Sequence, residues 1–175
     1  NVNERVNLEI DLNNTYYNIL KGYNKNTIRN LDKANKKQLS ISKDGVTQDF
    51  MLLYQKNVGA HINLSSKHLK VISQVLHSCI KRKKGYLLSV LYEGKIIGSA
   101  FFLSFFNRDV LIFHATEQSF KECHPITYLI NYYIHNNSNG NKILDFEGSN
   151  IPGVYRFYKG FGAKENNYYI HKSIK

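Results

Sequence analysis

Two carboxylates, Asp145 and Glu147, lie at the end of a short apolar run formed by Ile143, Leu144 and Phe146. The run is typical of a buried parallel strand, and turn and capping residues follow it. Ligands of open α/β sheets bind at the carboxyl ends of such strands, where a carboxylate could act as a general base. Asp145 also fits a structural role that binds the turn amides, and Glu147 fits an acid near a helix N-terminus.

The residues after this strand predict a turn and a helix. Pro152 suits the first helical turn, where its missing N–H has no partner to lose. The apolar residues that follow fall at i, i+3, i+4 and i+7, which places them on one helix face, and Gly162 supplies the stop. These apolar residues are Val154, Phe157, Tyr158 and Phe161.

The rest of the chain predicts helices first, then an antiparallel meander, then a helix. Tight turns at Glu93-Gly94 and Asn107–Asp109 join three apolar runs, which is the pattern of consecutive hairpins. A polar loop over 117–124 separates the meander from a helix that Pro125 opens. Helices are expected at 15–20, 25–37, 47–58, 65–84 and 125–136, and strands at 8–12, 39–41, 86–92, 96–106, 110–116, 143–146 and 167–174.

The helix at 25–37 carries a basic stripe on the side opposite its apolar residues. Like charges spaced at i, i+4 cost a helix about 0.2–0.5 kcal/mol per pair, which water or a bound anion must offset. The stripe therefore has two interpretations, a solvated basic face or an anion-binding surface. Its members are Lys25, Arg29, Lys33 and Lys37, with Lys36 beside them.

Two segments resemble parts of one acyltransferase superfamily. LDFEGSNIPGVYRFYKGFGA, residues 144–163, is similar to the closing strand and helix of the GNAT superfamily, in particular its FemABX-like branch. In that branch a D-F-x-G-S-like strand end leads into a helix that finishes F-K/R-x-F-G-A. NKNTIRNLDKANKKQLSI, residues 24–41, resembles the branch's K/R-x-x-x-R-x-x-x-K-A helix and the strand after it.

The resemblance implies an α/β (α+β) fold, a GNAT-like mixed sheet with an antiparallel meander followed by β-α-β-α-β. Helices should cover both faces. The strand after the meander should run parallel to the meander's last strand and splay from it, which opens a gap for the acyl donor. We expect one domain over residues 1–175, and a start at Asn1 is compatible with the C-terminal part of a longer protein.

Acyl transfer to an amine needs a base for the amine, stabilisation of the oxyanion and an acid for the leaving group. Glu117, just after the meander, and Glu147 are the expected bases, with Asp145 third. Glu117 also fits an ordinary surface acid. His114 could act as a base, although a buried sheet histidine is the more ordinary interpretation.

The superfamily often carries N-x-x-A/G-x-x-x-x-Y in the closing helix, and residues 150–158 match that spacing. The resemblance therefore implies Tyr158 as the first candidate acid and Tyr155 as the second, while an aromatic core face is the alternative. Ser149 could donate to the oxyanion or cap the helix. The expected substrate-binding residues are Asp145, Ser149, Lys25, Arg29, Lys33 and Lys37.

One segment departs from the acetyl-CoA-dependent pattern. Those members carry Q/R-x-x-G-x-G/A before the helix after the meander, and its amides bind pyrophosphate. Here residues 117–129 read EQSFKECHPITYL, without glycine, as in FemABX-like proteins. Characterised FemABX-like proteins have two GNAT-like domains and move an aminoacyl group from tRNA to a peptidoglycan-precursor amine. The expected donor is thus acetyl-CoA, another acyl-CoA or aminoacyl-tRNA, and the amine acceptor is not identified.

Composition bounds the other properties. The net charge of +11 suits a polyanionic partner, although a chain this rich in lysine can reach it without one. Cys79 and Cys123 form no Cys-x-x-Cys motif, and the histidines at 61, 68 and 77 lack metalloprotease spacing, so no metal site is predicted. No signal peptide or apolar run of about 18 residues is visible, which predicts a cytoplasmic protein without a membrane span.

We therefore expect an acyltransferase, either an N-acetyltransferase or an aminoacyltransferase. The alternative is a non-catalytic GNAT-like module that binds RNA or another anionic polymer through its basic face. The gap in the sheet should separate them. A transferase should have an open gap with a carboxylate or tyrosine in it, and a module should have it filled by side chains such as Phe113 or Phe146.

Overall fold

A computed structural model describes residues 2–60, 62–148 and 150–171. The strands in these ranges are β1 (Val2–Arg5), β2 (Asn7–Asp11), β3 (Ser40–Ser42), β4 (Gly85–Tyr92), β5 (Lys95–Phe105), β6 (Arg108–Thr116), β7 (Ile143–Gly148), β8 (Lys164–Glu165) and β9 (Tyr168–His171). The helices are α1 (Tyr16–Leu20), α2 (Lys25–Asn35), α3 (Thr47–Tyr54), α4 (Ser66–Lys81), α5 (Pro125–Asn137) and α6 (Pro152–Lys159). A π-turn, Gln55–Gly59, follows α3, and a 3₁₀ helix, Gln118–Cys123, precedes α5.

Seven strands form one mixed sheet in the order β3-β4-β5-β6-β7-β2-β8. The meander β4-β5-β6 is antiparallel, as predicted, and β7 runs parallel to β6. The turn between β4 and β5 has φ of 49° at Glu93 and 76° at Gly94, a left-handed pair that favours glycine at its second position. The remaining two strands, β1 and β9, pair with each other in a separate small sheet.

Helices cover both faces of the large sheet, as the fold prediction requires. One core cluster joins the sheet to α1, α2, α5 and α6, and a second joins it to α3 and α4. Neighbouring residues on β5 point to opposite faces, so Phe102 enters the first cluster and Phe101 the second, both with no solvent exposure. Full burial of each ring stabilises the fold by roughly 1.5–3 kcal/mol. No helix in the described ranges is long and apolar enough to cross a membrane.

Several element boundaries differ from the sequence-based prediction. The helix predicted at 47–58 ends at Tyr54 and continues as the π-turn, and the polar loop at 117–124 is mostly 3₁₀ helix. Gly160, not Gly162, caps α6, while Gly162 takes the left-handed conformation two residues later. Residues 172–174 of the predicted last strand lie outside the described residues.

The N-terminal strands differ most in their placement. The sequence predicted residues 8–12 as a short strand or a sheet edge, but β2 lies inside the sheet between β7 and β8. The strand β1 was not predicted, because its residues do not alternate between apolar and polar side chains. No local feature of the sequence indicates its pairing with β9.

Candidate functional site

A gap opens in the sheet where β6 and β7 part. The two strands pair over only three residues, the last pair being Val110 with Asp145. Beyond that pair β6 continues to Thr116 and β7 to Gly148, each still paired to its outer neighbour. Backbone groups of alternate residues on the separated parts therefore face the gap instead of a neighbouring strand. The predicted parallel pair and its splay are both present.

Two crossed ion pairs join β6 to β7 at the closed end of the gap. Arg108 Nη1 lies 2.5 Å from Asp145 Oδ2 on β7 and 2.5 Å from Glu9 Oε1 on β2. In the opposite sense, Lys142 Nζ, just before β7, lies 2.8 Å from Asp109 Oδ2 on β6. Burial raises the pKa of Asp109, but Lys142 and the hydrogen bonds to this carboxylate outweigh burial and hold the pKa below its ordinary value.

Asp145 is occupied by groups of the chain itself. Besides the Arg108 contact, its Oδ1 accepts a hydrogen bond from the Glu147 backbone N–H at 2.7 Å. This is the turn-amide role that the sequence offered as the alternative to a general base. Each carboxylate oxygen of Asp145 therefore already has a partner within the chain.

A cavity of about 240 Å³ lies at the mouth of the gap. Side chains from β6, from the turn before α5, from the first turn of α5 and from α6 form its wall. It therefore connects the separated part of β6 with a helix N-terminus, whose first amides have no partner within the helix. The residues that line it are His114, Thr116, Lys121, His124, Pro125, Ile126, Thr127 and Phe157.

Tyr158, Glu147 and His114 come together at this gap. The Tyr158 ring stacks on Phe146 with centroids 4.3 Å apart and lies 6.2 Å from the His114 ring. Burial, and then the negative charge of Glu147, raise the pKa of Tyr158. The hydroxyl is protonated at neutral pH, as in any tyrosine, and the raised pKa makes it a weaker acid than an exposed tyrosine. Glu147 is exposed at the end of β7 and has a left-handed φ of 55°.

The two bulky side chains that could have filled the gap each pack on another aromatic ring. Phe146 is buried under Tyr158, and Phe113 packs on Tyr54 in the cluster on the α3–α4 face. Neither ring lines the cavity.

Two other predicted catalytic residues are held away from this cluster. Glu117 follows β6 but pairs with Lys56 of the π-turn at 2.9 and 3.0 Å. The hydrogen bond from Lys56 holds the pKa of Glu117 below its ordinary value, which makes it a weaker base. The Tyr155 hydroxyl lies 2.5 Å from Glu165 on β8, and β2 and β7 separate that strand from the gap.

The turn before α5 is built around His124, a residue that the sequence analysis did not select. His124 takes a left-handed conformation with φ 49°, in a segment where acetyl-CoA-dependent members carry glycine. Its Nε2 atom is buried without a hydrogen-bond partner within the described part of the chain. α2 packs against α5 and carries Lys33 and Arg29. Burial, then the charge of Lys33, lower the pKa of His124, and Arg29 acts in the same direction while Glu122 opposes them.

The basic stripe does not stay together. Arg29 and Lys33 act on His124, whereas α2 ends at Asn35 and leaves Lys37 beyond the helix. Lys37 lines a different cavity of about 490 Å³, together with Lys36, Tyr92 and Glu93. Lys25 is exposed in the first turn of α2, and no described contact brings it to the gap.

One predicted site residue, Ser149, cannot be placed, because it lies outside the described residues. His61, whose spacing argued against a metal site, also lies outside them. Among the residues that are described, no group of three or more His, Cys, Asp or Glu side chains is arranged to hold a metal ion.

His114 should make stability depend on pH. Burial lowers its pKa to about 4, whereas the unfolded value is about 6.5. His114 should therefore leave the free energy of unfolding unchanged above about pH 6.5 and lower it as the pH drops towards 4. The loss should be at most about 3 kcal/mol, and smaller if water in the cavity solvates the charged ring. We expect urea unfolding at pH 7 and pH 4.5 to show this loss, and His114→Gln to remove that part of it. An unchanged pH dependence in the variant would contradict the assignment.

The fold has relatives among solved structures, although no protein-family model and no curated protein sequence matches the chain. FemX superposes with a TM-score of 0.78 at 10% identity, covering 92% of this chain and 59% of FemX. The C-terminal domain of a putative lysylphosphatidylglycerol synthetase from Agrobacterium fabrum gives 0.62 at 12% identity, over 96% of this chain and 60% of that one. A putative GNAT-family acetyltransferase from Desulfovibrio desulfuricans gives 0.50 at 13% identity, over 75% and 98%.

The chain thus spans about 60% of the length of the FemX and synthetase structures. Identities of 10–13% show the fold and nothing finer. The parallel β6–β7 pair, its splay and these superpositions agree, and they show that the chain has a GNAT/FemABX-like fold.

Proposed function

We propose that this chain transfers an acyl or aminoacyl group from a phosphate-rich donor to an amine in the gap between β6 and β7. The parting of these strands beside a cavity at the start of α5 carries the proposal. Group transfer is also consistent with the name of one structural neighbour, a putative acetyltransferase of the GNAT family.

The donor would lie with its acyl arm in the gap and its phosphates at the first turn of α5. The helix N-terminus attracts anions there, and Lys121, Arg29 and Lys33 add positive charge. The donor is acetyl-CoA, another acyl-CoA or aminoacyl-tRNA. Arg29 and Lys33 of α2 are exposed and do not line the cavity. A donor that also contacts them must extend outside the cavity, which favours the larger polyanion, aminoacyl-tRNA.

The proposed roles follow from where each group lies. Glu147 removes a proton from the amine, whose nitrogen attacks the donor carbonyl carbon. Backbone N–H groups that face the gap stabilise the oxyanion. When the carbonyl re-forms, the bond to the leaving sulfur or oxygen breaks, and Tyr158 donates its proton to that atom. A tyrosine hydroxyl carries this proton at neutral pH, and the contacts of the Tyr158 ring with Phe146 on β7 and His114 on β6 support this last role.

Donor binding can be tested by thermal shift with acetyl-CoA, free CoA and bulk aminoacyl-tRNA at low and high salt. Ligand at 100 times its Kd should stabilise the chain by about 2.7 kcal/mol. Arg29→Gln/Lys33→Gln should reduce the shift, because it removes two charges beside the proposed phosphate site. The control, Lys67→Gln/Lys70→Gln, removes the same charge from exposed positions on α4 and should leave the shift unchanged.

The outcomes distinguish the donors from the alternative function. Stabilisation by acetyl-CoA that resists salt would make an acetyltransferase the leading interpretation. A tRNA shift that requires charging would favour aminoacyl transfer. A tRNA shift independent of charging and lost at high salt would instead indicate an RNA-binding module, and no shift with any donor would contradict the proposal.

A further inference from the structure

The turn between β5 and β6 presents two adjacent phenylalanines to solvent. Phe105 is 59% exposed and Phe106 is 85% exposed, with ring centroids 4.4 Å apart. Single exposed apolar residues are ordinary on a protein surface. A pair of large rings at the end of a hairpin is different, because the two form one apolar tip that is mostly exposed among the described residues.

The backbone conformation at Phe106 is unfavourable for a phenylalanine. Phe105 and Arg108 are register partners, so only two residues make the turn. Phe106 has φ of 52°, the left-handed region where glycine or asparagine is usual in a hairpin. Bulky residues held in such a conformation are associated with functional sites. Local turn chemistry therefore does not account for a phenylalanine at this position.

Four consecutive cations lie beside the tip. Lys81, Arg82, Lys83 and Lys84 are all exposed where α4 ends. The Ser104 backbone N–H donates to the Lys84 carbonyl at 2.7 Å, and Lys84 Nζ lies 6.0 Å from the centre of the Phe105 ring.

The acid nearest to the turn along β6 does not neutralise these cations. Asp109 is fully buried, and Lys142 pairs with it. The surface formed by Phe105, Phe106 and residues 81–84, here called the hairpin-tip surface, is therefore apolar at its end and basic beside it.

The hairpin-tip surface is distinct from the proposed donor site. β6 begins beside the tip at Arg108 and reaches the cavity only at its other end, with His114 and Thr116. A role for the tip therefore does not depend on the transfer reaction.

We propose that the hairpin-tip surface docks this chain on an anionic lipid bilayer. The two phenyl rings would enter the interfacial region, and the four cations would contact anionic headgroups, which attract each basic side chain close to the membrane. A convex apolar tip suits a deformable surface. RNA is the less suited polyanion, because the rings meet edge to face at 75° and so form no flat stacking platform.

Flotation with vesicles tests this proposal. The chain should bind vesicles of phosphatidylcholine mixed with phosphatidylglycerol, should bind pure phosphatidylcholine vesicles far less, and should be released as salt rises. Phe106→Gly should weaken binding at least about tenfold. Because glycine is favourable at a left-handed position, this variant should melt no lower than the unmodified chain, so its loss of binding cannot be attributed to unfolding.

A matched pair of charge variants tests the basic part. Lys81→Gln/Arg82→Gln should weaken vesicle binding and reduce its salt dependence, whereas Lys67→Gln/Lys70→Gln removes the same charge from the other end of α4 and should do neither. Absence of vesicle binding would overturn the proposal, and so would equal loss from both charge pairs. If Phe106→Gly reduced binding to a short single-stranded RNA and left vesicle binding unchanged, the surface would be a nucleic-acid contact instead.

Discussion

Replacing Arg108 with leucine should lower the free energy of unfolding by about 3 kcal/mol. The guanidinium is the partner of two largely buried carboxylates, Glu9 on β2 and Asp145 on β7. Removing it leaves two like charges close together with no cation between them. The usual cost of breaking a buried pair is about 3–5 kcal/mol, and we take the lower end because a third of the Arg108 side chain is exposed. Urea unfolding at pH 7 measures the change.

The matched control is Arg156→Leu, on the exposed side of α6. It removes the same side chain from a position without a described ion pair, so we expect a change within about 0.5 kcal/mol. Equal, small losses in both variants would show that the Arg108 contacts add little to stability. A large loss only in Arg108→Leu would show that the ion pairs of Arg108 with Glu9 and Asp145 stabilise the fold.

The ion pairs of Arg108 lie at the point where the gap between β6 and β7 begins. Asp145 belongs to the last residue pair before β6 and β7 part, and Arg108 joins it to β2 on the far side of β7. Three strands are thus tied together at the closed end, which fixes where the gap begins. The Lys142–Asp109 ion pair also joins β7 to β6, with the cation just before β7 and the carboxylate on β6.

Local sequence patterns were sufficient for most of the elements. The meander followed from apolar runs separated by Glu93-Gly94 and by Asn107, and α5 followed from Pro125 and its apolar spacing. These features depend on neighbours along the chain, so periodicity and turn residues report them. The parallel β6–β7 pair came from the family resemblance, since periodicity does not give strand order.

Contacts between distant residues were not visible in the same way. Nothing near Glu117 indicates that Lys56, 61 residues away, would hold its carboxylate. Tyr155 and Tyr158 are both suitable by residue type, and only the structure puts one hydroxyl on Glu165 and the other ring at the gap. The motif spacing ranked Tyr158 ahead of Tyr155, and the contacts of the two side chains give the physical difference between them.

His124 was missed for a related reason. The sequence showed that the glycines of a pyrophosphate turn were absent, but a left-handed conformation at a histidine has no sequence pattern of its own. Its position directly before the helix-opening Pro125 was the available signal. The contribution of Arg29 and Lys33 depends on α2 packing against α5, which again requires the tertiary structure.

Replacing Tyr158 with phenylalanine should slow acyl transfer by about 10²–10⁴-fold, the usual contribution of a general acid. The leaving sulfur or oxygen would then depart without a proton. Donor binding should change little, because the phenyl ring still stacks on Phe146. The measurement is single-turnover release of the acyl group from whichever donor stabilises the chain, with excess primary amine, together with a thermal shift for the same donor.

Tyr155→Phe is the decisive comparison, since it removes the same hydroxyl from the same helix. That hydroxyl is bound to Glu165 on β8, so its loss should cost little turnover. If Tyr155→Phe were the slower variant, the assignment of the acid would be reversed, and the gap between β6 and β7 would not be where the leaving group is protonated. If Tyr158→Phe lost donor binding together with turnover, Tyr158 would be a packing residue. A loss of turnover alone, in Tyr158→Phe alone, would place the acid on the buried face of α6.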